Sequence, residues 1–151
     1  MIKLSQILKA VNGKIKANFE GITIDSKDLE EDFNRPSFRT ELTGLRTSSF
    51  GSTYKERNFT IRIYFFPSVK GKGRLERLKV TDGIEDAFLH PLQIEAGRLG
   101  ETGFYIPIEE ISFTESDGVL IASFDSITAE RIYNDLDLPM MEELEVSYER
   151  H

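Results

Sequence analysis

Four groups of residues in this chain have types that could do chemistry. The first is the basic glycine run Val69-Lys70-Gly71-Lys72-Gly73-Arg74, whose cations and backbone N–H groups would suit a phosphate. A Walker loop sets its glycines further apart and follows its Lys with a Ser or Thr that reaches Mg²⁺. Neither feature is present, so the run reads as a flexible linker. The second is the acidic stretch Asp25-Ser26-Lys27-Asp28-Leu29-Glu30-Glu31-Asp32, which offers carboxylates to Ca²⁺. It lacks the central Gly and the final Glu of an EF-hand loop, and a solvated linker is the expectation. The third is histidine: His90, beside Pro91, and His151, at the last position. A nucleophile needs a base within reach. The chain has no cysteine and 2 histidines, and no Gly-x-Ser-x-Gly, His-Glu-x-x-His or dinucleotide fingerprint. His90 therefore reads as a helix-end residue. The fourth group is the carboxylate pairs Glu109-Glu110 and Glu142-Glu143. Adjacent acids on a strand point to opposite faces, so neither pair makes a shared acid–base site by itself. Distant acids that converge in space, as in glycosidases, remain open at this level. The expectation is a protein that is not an enzyme, with no catalytic, cofactor or metal site.

Composition sets the frame for these groups. At 151 residues, 39% hydrophobic and 30% charged, the chain reads as one globular domain over residues 1–151 rather than as a disordered segment. The net charge of −7 argues against general nucleic-acid binding by phosphate neutralisation. The lack of cysteine excludes disulfides and fits a reducing cytoplasm. No run approaches the ~18 apolar residues of a membrane span, and Met1-Ile2-Lys3-Leu4-Ser5-Gln6 has no signal-peptide core. No membrane partner is expected.

The elements that must position any site follow from periodicity. Leu4, Ile7, Leu8, Val11 and Ile15 mark an amphipathic helix over residues 4–19, with Ser5 as a candidate cap and Asn12-Gly13 as a weak spot. Residues 21–25 read as a short strand. Pro36 opens a longer one in which Phe38, Thr40 and Leu42 share a face. Leu45 and Thr47 continue in the other phase, and Gly44 at the slip signals a bulge. Residues 48–53 read as a polar turn. The clearest strand is 58–66: Phe59, Ile61, Ile63 and Phe65 point one way, and Asn58, Thr60, Arg62, Tyr64 and Phe66 the other. Together the two strands predict an antiparallel hairpin. In an isolated domain Tyr64 and Phe66 would lie under a helix. A second helix is expected over 75–89, burying Leu75, Leu78, Ile84, Ala87 and Phe88, interrupted by Asp82-Gly83 and ended by His90-Pro91. Residues 92–96 alternate as a strand, and 97–103 form a glycine-rich loop. Residues 105–108 and 111–114 read as one strand bent near Glu109-Glu110. Asp117-Gly118 makes a hairpin turn into a strand over 119–127, whose two apolar faces suggest a central position. Residues 129–138 are loop or helix, and Leu144, Val146 and Tyr148 lie in strand register. The fold class is α+β, a mostly antiparallel sheet, open to a mixed one, with two helices packed against it.

Several of these stretches together resemble one family. They are Lys14-Ile15-Lys16-Ala17-Asn18-Phe19 closing a basic helix, Gly21-Ile22-Thr23-Ile24, and Arg35-Pro36-Ser37-Phe38 leading into Glu41-Leu42. Tyr54-Lys55-Glu56-Arg57 then runs into Tyr64-Phe65-Phe66-Pro67, and Met140-Met141-Glu142-Glu143-Leu144-Glu145-Val146 closes the chain. This order resembles the tail terminator family of phages and phage-like elements of Gram-positive bacteria. Residues 71–103 add nothing to the resemblance. The resemblance implies a virion structural protein, made in the bacterial cytoplasm, that forms a homo-oligomeric ring, commonly a hexamer, on the head-proximal end of the tail tube. Its partners would be the tube protein and the head–tail connector or stopper, with DNA only as passing cargo. Another neck component, or a small ligand- or peptide-binding α+β module, is the alternative.

A ring joins one patch to a different patch on the neighbour, and charge in this chain is segregated. Residues 3–16 and 70–79 are basic, and residues 25–32 and 142–149 are acidic. The candidate subunit or partner contacts are Arg62, Tyr64 and Phe66 on the far face of the strong strand, Lys70, Lys72 and Arg74 in the basic run, and Glu142, Glu143 and Glu145 near the end.

Overall fold

The computed structural model describes residues 2–24, 35–51, 53–69, 73–94 and 104–131. The acidic linker, Lys70 and Lys72, the glycine-rich loop 97–103 and the strand expected over 144–148 lie outside the described residues, as do Glu142, Glu143 and Glu145.

The first helix, α1 (Leu4–Asn18), runs unbroken through Asn12-Gly13. Asn12 has a tertiary partner, since its Oδ1 accepts from Thr40 Oγ1 at 2.7 Å. Ser5 lies inside the helix and does not cap it. Instead the Lys3 N–H donates to Gln6 Oε1 at 2.8 Å, meeting one of the donors a helix start leaves open. Ile7, Val11 and Ile15 are fully buried along one stripe.

The strands are β1 (Thr23–Ile24), β2 (Ser37–Phe50), β3 (Tyr54–Phe66), β4 (Leu92–Ile94), β5 (Phe104–Ile106), β6 (Ser112–Ser116) and β7 (Val119–Arg131). A five-stranded sheet has the order β1-β2-β3-β7-β6. β1 pairs parallel to β2 and the other neighbours are antiparallel, so the sheet is mixed. The hairpin β2–β3 is longer than its apolar pattern suggests. Its strands continue through the polar residues to Phe50 and from Tyr54, which leaves a tight connection in place of a long turn. The expected bulge sits between Thr43 and Arg46, with Gly44 at φ 62, a left-handed conformation that glycine adopts without a Cβ penalty. At the β6–β7 turn Asp117 and Gly118 have φ 52 and 78, the two positive angles of a type I′ hairpin.

β5 and β6 are separate strands, not one bent strand. β5 pairs with β4 in its own two-stranded sheet, while β6 pairs with β7. β7 lies between β3 and β6 and runs on to Arg131, past the point where its apolar alternation fades. Only Leu120, Ala122 and Phe124 among its apolar residues are buried; Val119 and Ile121 are partly exposed. β7 is thus an interior strand, as its two apolar faces suggest, next to β3, the middle one of the five.

The second helix, α2 (Arg74–Phe88), also passes unbroken through its glycine. It buries Arg77, Val80, Ile84, Ala87 and Phe88, while Leu75 and Leu78, expected in the core, are 74% and 52% exposed. Stepping back from Ile84 by helical intervals reaches Val80 and Arg77 and places Leu75 on the opposite side. Both helices cover one face of the sheet. Their buried residues join Phe38, Phe59, Ile61, Ile63, Phe65, Leu120 and Phe124 in a contiguous core. α1 touches β1 and β2, and α2 touches α1 and β7. Burying side chains of this size contributes about 1.5–3 kcal/mol each.

Candidate contact surfaces

Because both helices sit on the Phe59–Phe65 side of β3, the opposite face stays open. The register places Glu41 opposite Arg62 and Arg39 opposite Tyr64, with Ser123 and Asp125 on the β7 side opposite Arg62 and Thr60. Cross-strand neighbours on one face interact directly. Arg62 lies 3.6 Å from Glu41 Oε1. Tyr64 Oη donates to the same oxygen at 2.8 Å, and Thr60 Oγ1 donates to Asp125. Tyr64 is thus half-buried in a polar network, not under a helix. Phe66, next along the strand, is only 6% exposed. The Arg35 guanidinium stands 5.8 Å from its ring centroid and donates to the Pro67 carbonyl at 3.1 Å. Arg35 thereby closes the strand end by a cation–π contact and a hydrogen bond. Arg74 is exposed in the first turn of α2. The candidates among the described residues are therefore not gathered into one patch: Arg62 and Tyr64 share the open sheet face, Phe66 lies at its closed end, and Arg74 belongs to the helix layer.

Burial, and then the bond to Glu41, raise the Tyr64 phenol above its ordinary 10.0, against the opposing pull of Arg62. A raised phenol holds its proton more tightly in the folded state. It contributes stability that is complete below the unfolded value and is lost as the pH climbs through the folded one. In an ultraviolet titration at alkaline pH, Tyr64 is expected to ionise above the ordinary 10.0 of a tyrosine, and Tyr64→Phe to delete that step. An unchanged titration curve in the variant would refute the assignment.

Distant acids do converge at one edge of this face. Glu109, Glu110, Ser112, Ser123, Phe124 and Asp125 line an open recess of about 290 Å³. Ser112 Oγ donates to the Ser123 carbonyl at 3.4 Å, and His90, the one histidine among the described residues, is exposed past the end of α2. Among the described residues no cluster of three or more His, Cys, Asp or Glu side chains could hold a metal ion. No described helix is long and apolar enough to cross a membrane.

Two arginines matter that residue patterns did not single out. Arg35 closes the end of β3. Arg77, 9% exposed, donates from Nε to Glu115 Oε1 at 2.9 Å and from Nη1 to the Gly118 carbonyl at 3.3 Å. It ties α2 to the β6–β7 turn. A lone Arg at a helical core interval was the available signal.

These elements define an α+β protein, two helices on a mostly antiparallel sheet. A family model described as phage tail terminator protein matches residues 6–136, including the stretch 71–103 that sequence patterns left unattached. The chain belongs to the phage tail terminator family, a structural family of the phage tail, and its partners lie in the tail and at the head-joining end. No curated protein matches it. One solved structure, which bears only a sequence identifier for a name, aligns over 89% of this chain and 99% of its own at 13% identity and TM-score 0.44, too loosely to carry an argument.

Proposed function

We propose that this protein caps the head-proximal end of the tail tube, ends tube polymerisation and presents the joining surface for the head connector. The observation that carries this reading is the family match across residues 6–136. Its working form is a homo-oligomeric ring, hexameric as the sequence resemblance implies, with DNA passing through as cargo. The open sheet face supports the reading. Arg39, Glu41, Arg62 and Asp125 make it polar, so it stays solvated in a free protomer and can still form specific contacts in an assembly. Arg62 and Tyr64, and the charged runs containing Lys70, Lys72, Arg74, Glu142, Glu143 and Glu145, are the proposed contacts.

Tails assembled with and without the protein, measured by electron microscopy, test this. Without it, tails of irregular length that do not join heads are expected, and adding it back should restore a single length. Tails of normal length that join heads in its absence would sink the proposal.

A further inference from the structure

The outer face of α1 is basic, and that of the C-terminal half of α2 is acidic. Within α1 there is no acidic residue, and Lys9, Lys14 and Lys16 are exposed. On α2 the exposed residues of the C-terminal half are Asp82, Glu85, Asp86 and Leu89, and helical spacing brings Leu75 and Leu78 onto the same outer face. None of these lysines or carboxylates forms an ion pair among the described residues. The helices also lie over different halves of the sheet: α1 on the β1–β2 side and α2 on the β7 side. A copy placed beside another in the same orientation thus sets one basic helix next to one acidic helix.

We infer that neighbouring copies of this chain meet helix to helix, the outer face of α1 that carries Lys9 and Lys16 on one copy seated against the outer face of α2 on the next. The inference rests on the ring reading above and names its contact. A two-fold contact could also pair α1 with α2 twice, so the head-to-tail arrangement, the kind that closes into rings, comes from the ring reading and the α1–α2 pairing from the charges. The exposed leucines fit the same partner. A lysine lays its four-carbon stem along apolar surface while its ammonium reaches a carboxylate, so Leu75, Leu78 and Leu89 receive the stems and Asp82, Glu85 and Asp86 the charges. Arg74 in the first turn of α2 repels α1 and fixes its register, and Lys79 stands on the outer face one turn before Asp82.

Complementary charge reversal tests this. One variant carries Lys9→Glu and Lys16→Glu; the other carries Asp82→Lys, Glu85→Lys and Asp86→Lys. Mass is read by light scattering in solution, and retention is read on purified tube ends, with circular dichroism to confirm folding. Each variant alone should associate at least about tenfold more weakly than the unmodified chain, and an equimolar mixture should recover association, because alternating copies restore every contact. Should a reversed helix fail to fold, the milder Lys→Gln and Asp→Asn, Glu→Gln sets should give the same weakening in smaller degree. If the unmodified chain assembles and the reversed variants assemble equally well, or the mixture fails to recover, this contact is wrong while the ring reading stands. Duplex DNA binding lost in the lysine variant with assembly intact would overturn it in favour of a nucleic-acid surface. If the unmodified chain assembles neither in solution nor on tube ends, the ring reading fails and takes the contact with it.

Discussion

Gly83→Ala is expected to destabilise the fold by about 1–3 kcal/mol, the cost of inserting a methyl group where packing leaves no room. Taken alone the substitution should help, since alanine is favoured over glycine in a helix interior by about 1 kcal/mol. Here a Cβ would stand 2.6 Å from Phe19 Cζ and 2.8 Å from its Cε1. The ring cannot simply swing away, because it packs on Phe38 at 4.9 Å, and Phe38 packs on Phe65 at 5.1 Å. Gly13 provides the internal control. It is also mid-helix, but nothing lies within 4 Å of the site, so Gly13→Ala should stabilise by up to ~1 kcal/mol. Urea unfolding midpoints at constant m would show the opposite signs. A double-mutant cycle with Phe19→Leu should recover much of the Gly83→Ala loss, with a coupling of about 0.5–3 kcal/mol. Equal stabilisation at both glycines would mean that α1 and α2 do not meet at Phe19.

The second large effect is expected at Arg77. Arg77→Ala should cost about 1–3 kcal/mol through lost hydrogen bonds and lost packing of a nearly buried side chain. The ion pair is not the main part of this. The Glu115 side chain is 52% exposed, so water screens the pair and also receives the carboxylate once the arginine is gone. Glu115→Gln, which keeps an oxygen for the Arg77 Nε–H, should therefore lose less than Arg77→Ala, and the difference should change little with added salt. A larger loss in Glu115→Gln than in Arg77→Ala would show that charge, not packing and geometry, holds α2 to the β6–β7 turn.

What the sequence made legible was local. The two-residue period of β3 identified the strand and its buried set, Gly44 marked the phase slip, and Asp117-Gly118 specified the turn. Each is a property of neighbours along the chain. What it hid depended on partners far away. Both faces of β3 carry aromatics, so the pattern could not say which one the helices cover. Leu75 and Leu78 looked like core because they are leucines, while the face of α2 was set by Ile84, Phe88 and the docking of Arg77. The polar ends of the hairpin were hidden because a backbone ladder needs no apolar side chains. For the candidate contacts, sequence placed Arg62 and Tyr64 together on one strand face correctly. It offered Arg35 only as part of a family motif and did not show that the residue stands over the Phe66 ring from just before β2.

The outer part of β2 has a consequence for how such a protein changes over time. From Gly44 to Ser49 its residues are exposed and held by the ladder to β3, with no core side chain resting on them. Exposed substitutions away from special features typically shift stability by less than about 0.5 kcal/mol. Mutation can rewrite Leu45, Arg46, Thr47 and Ser48 with little loss of folding, so this segment can vary in sequence while the rest of the chain stays fixed.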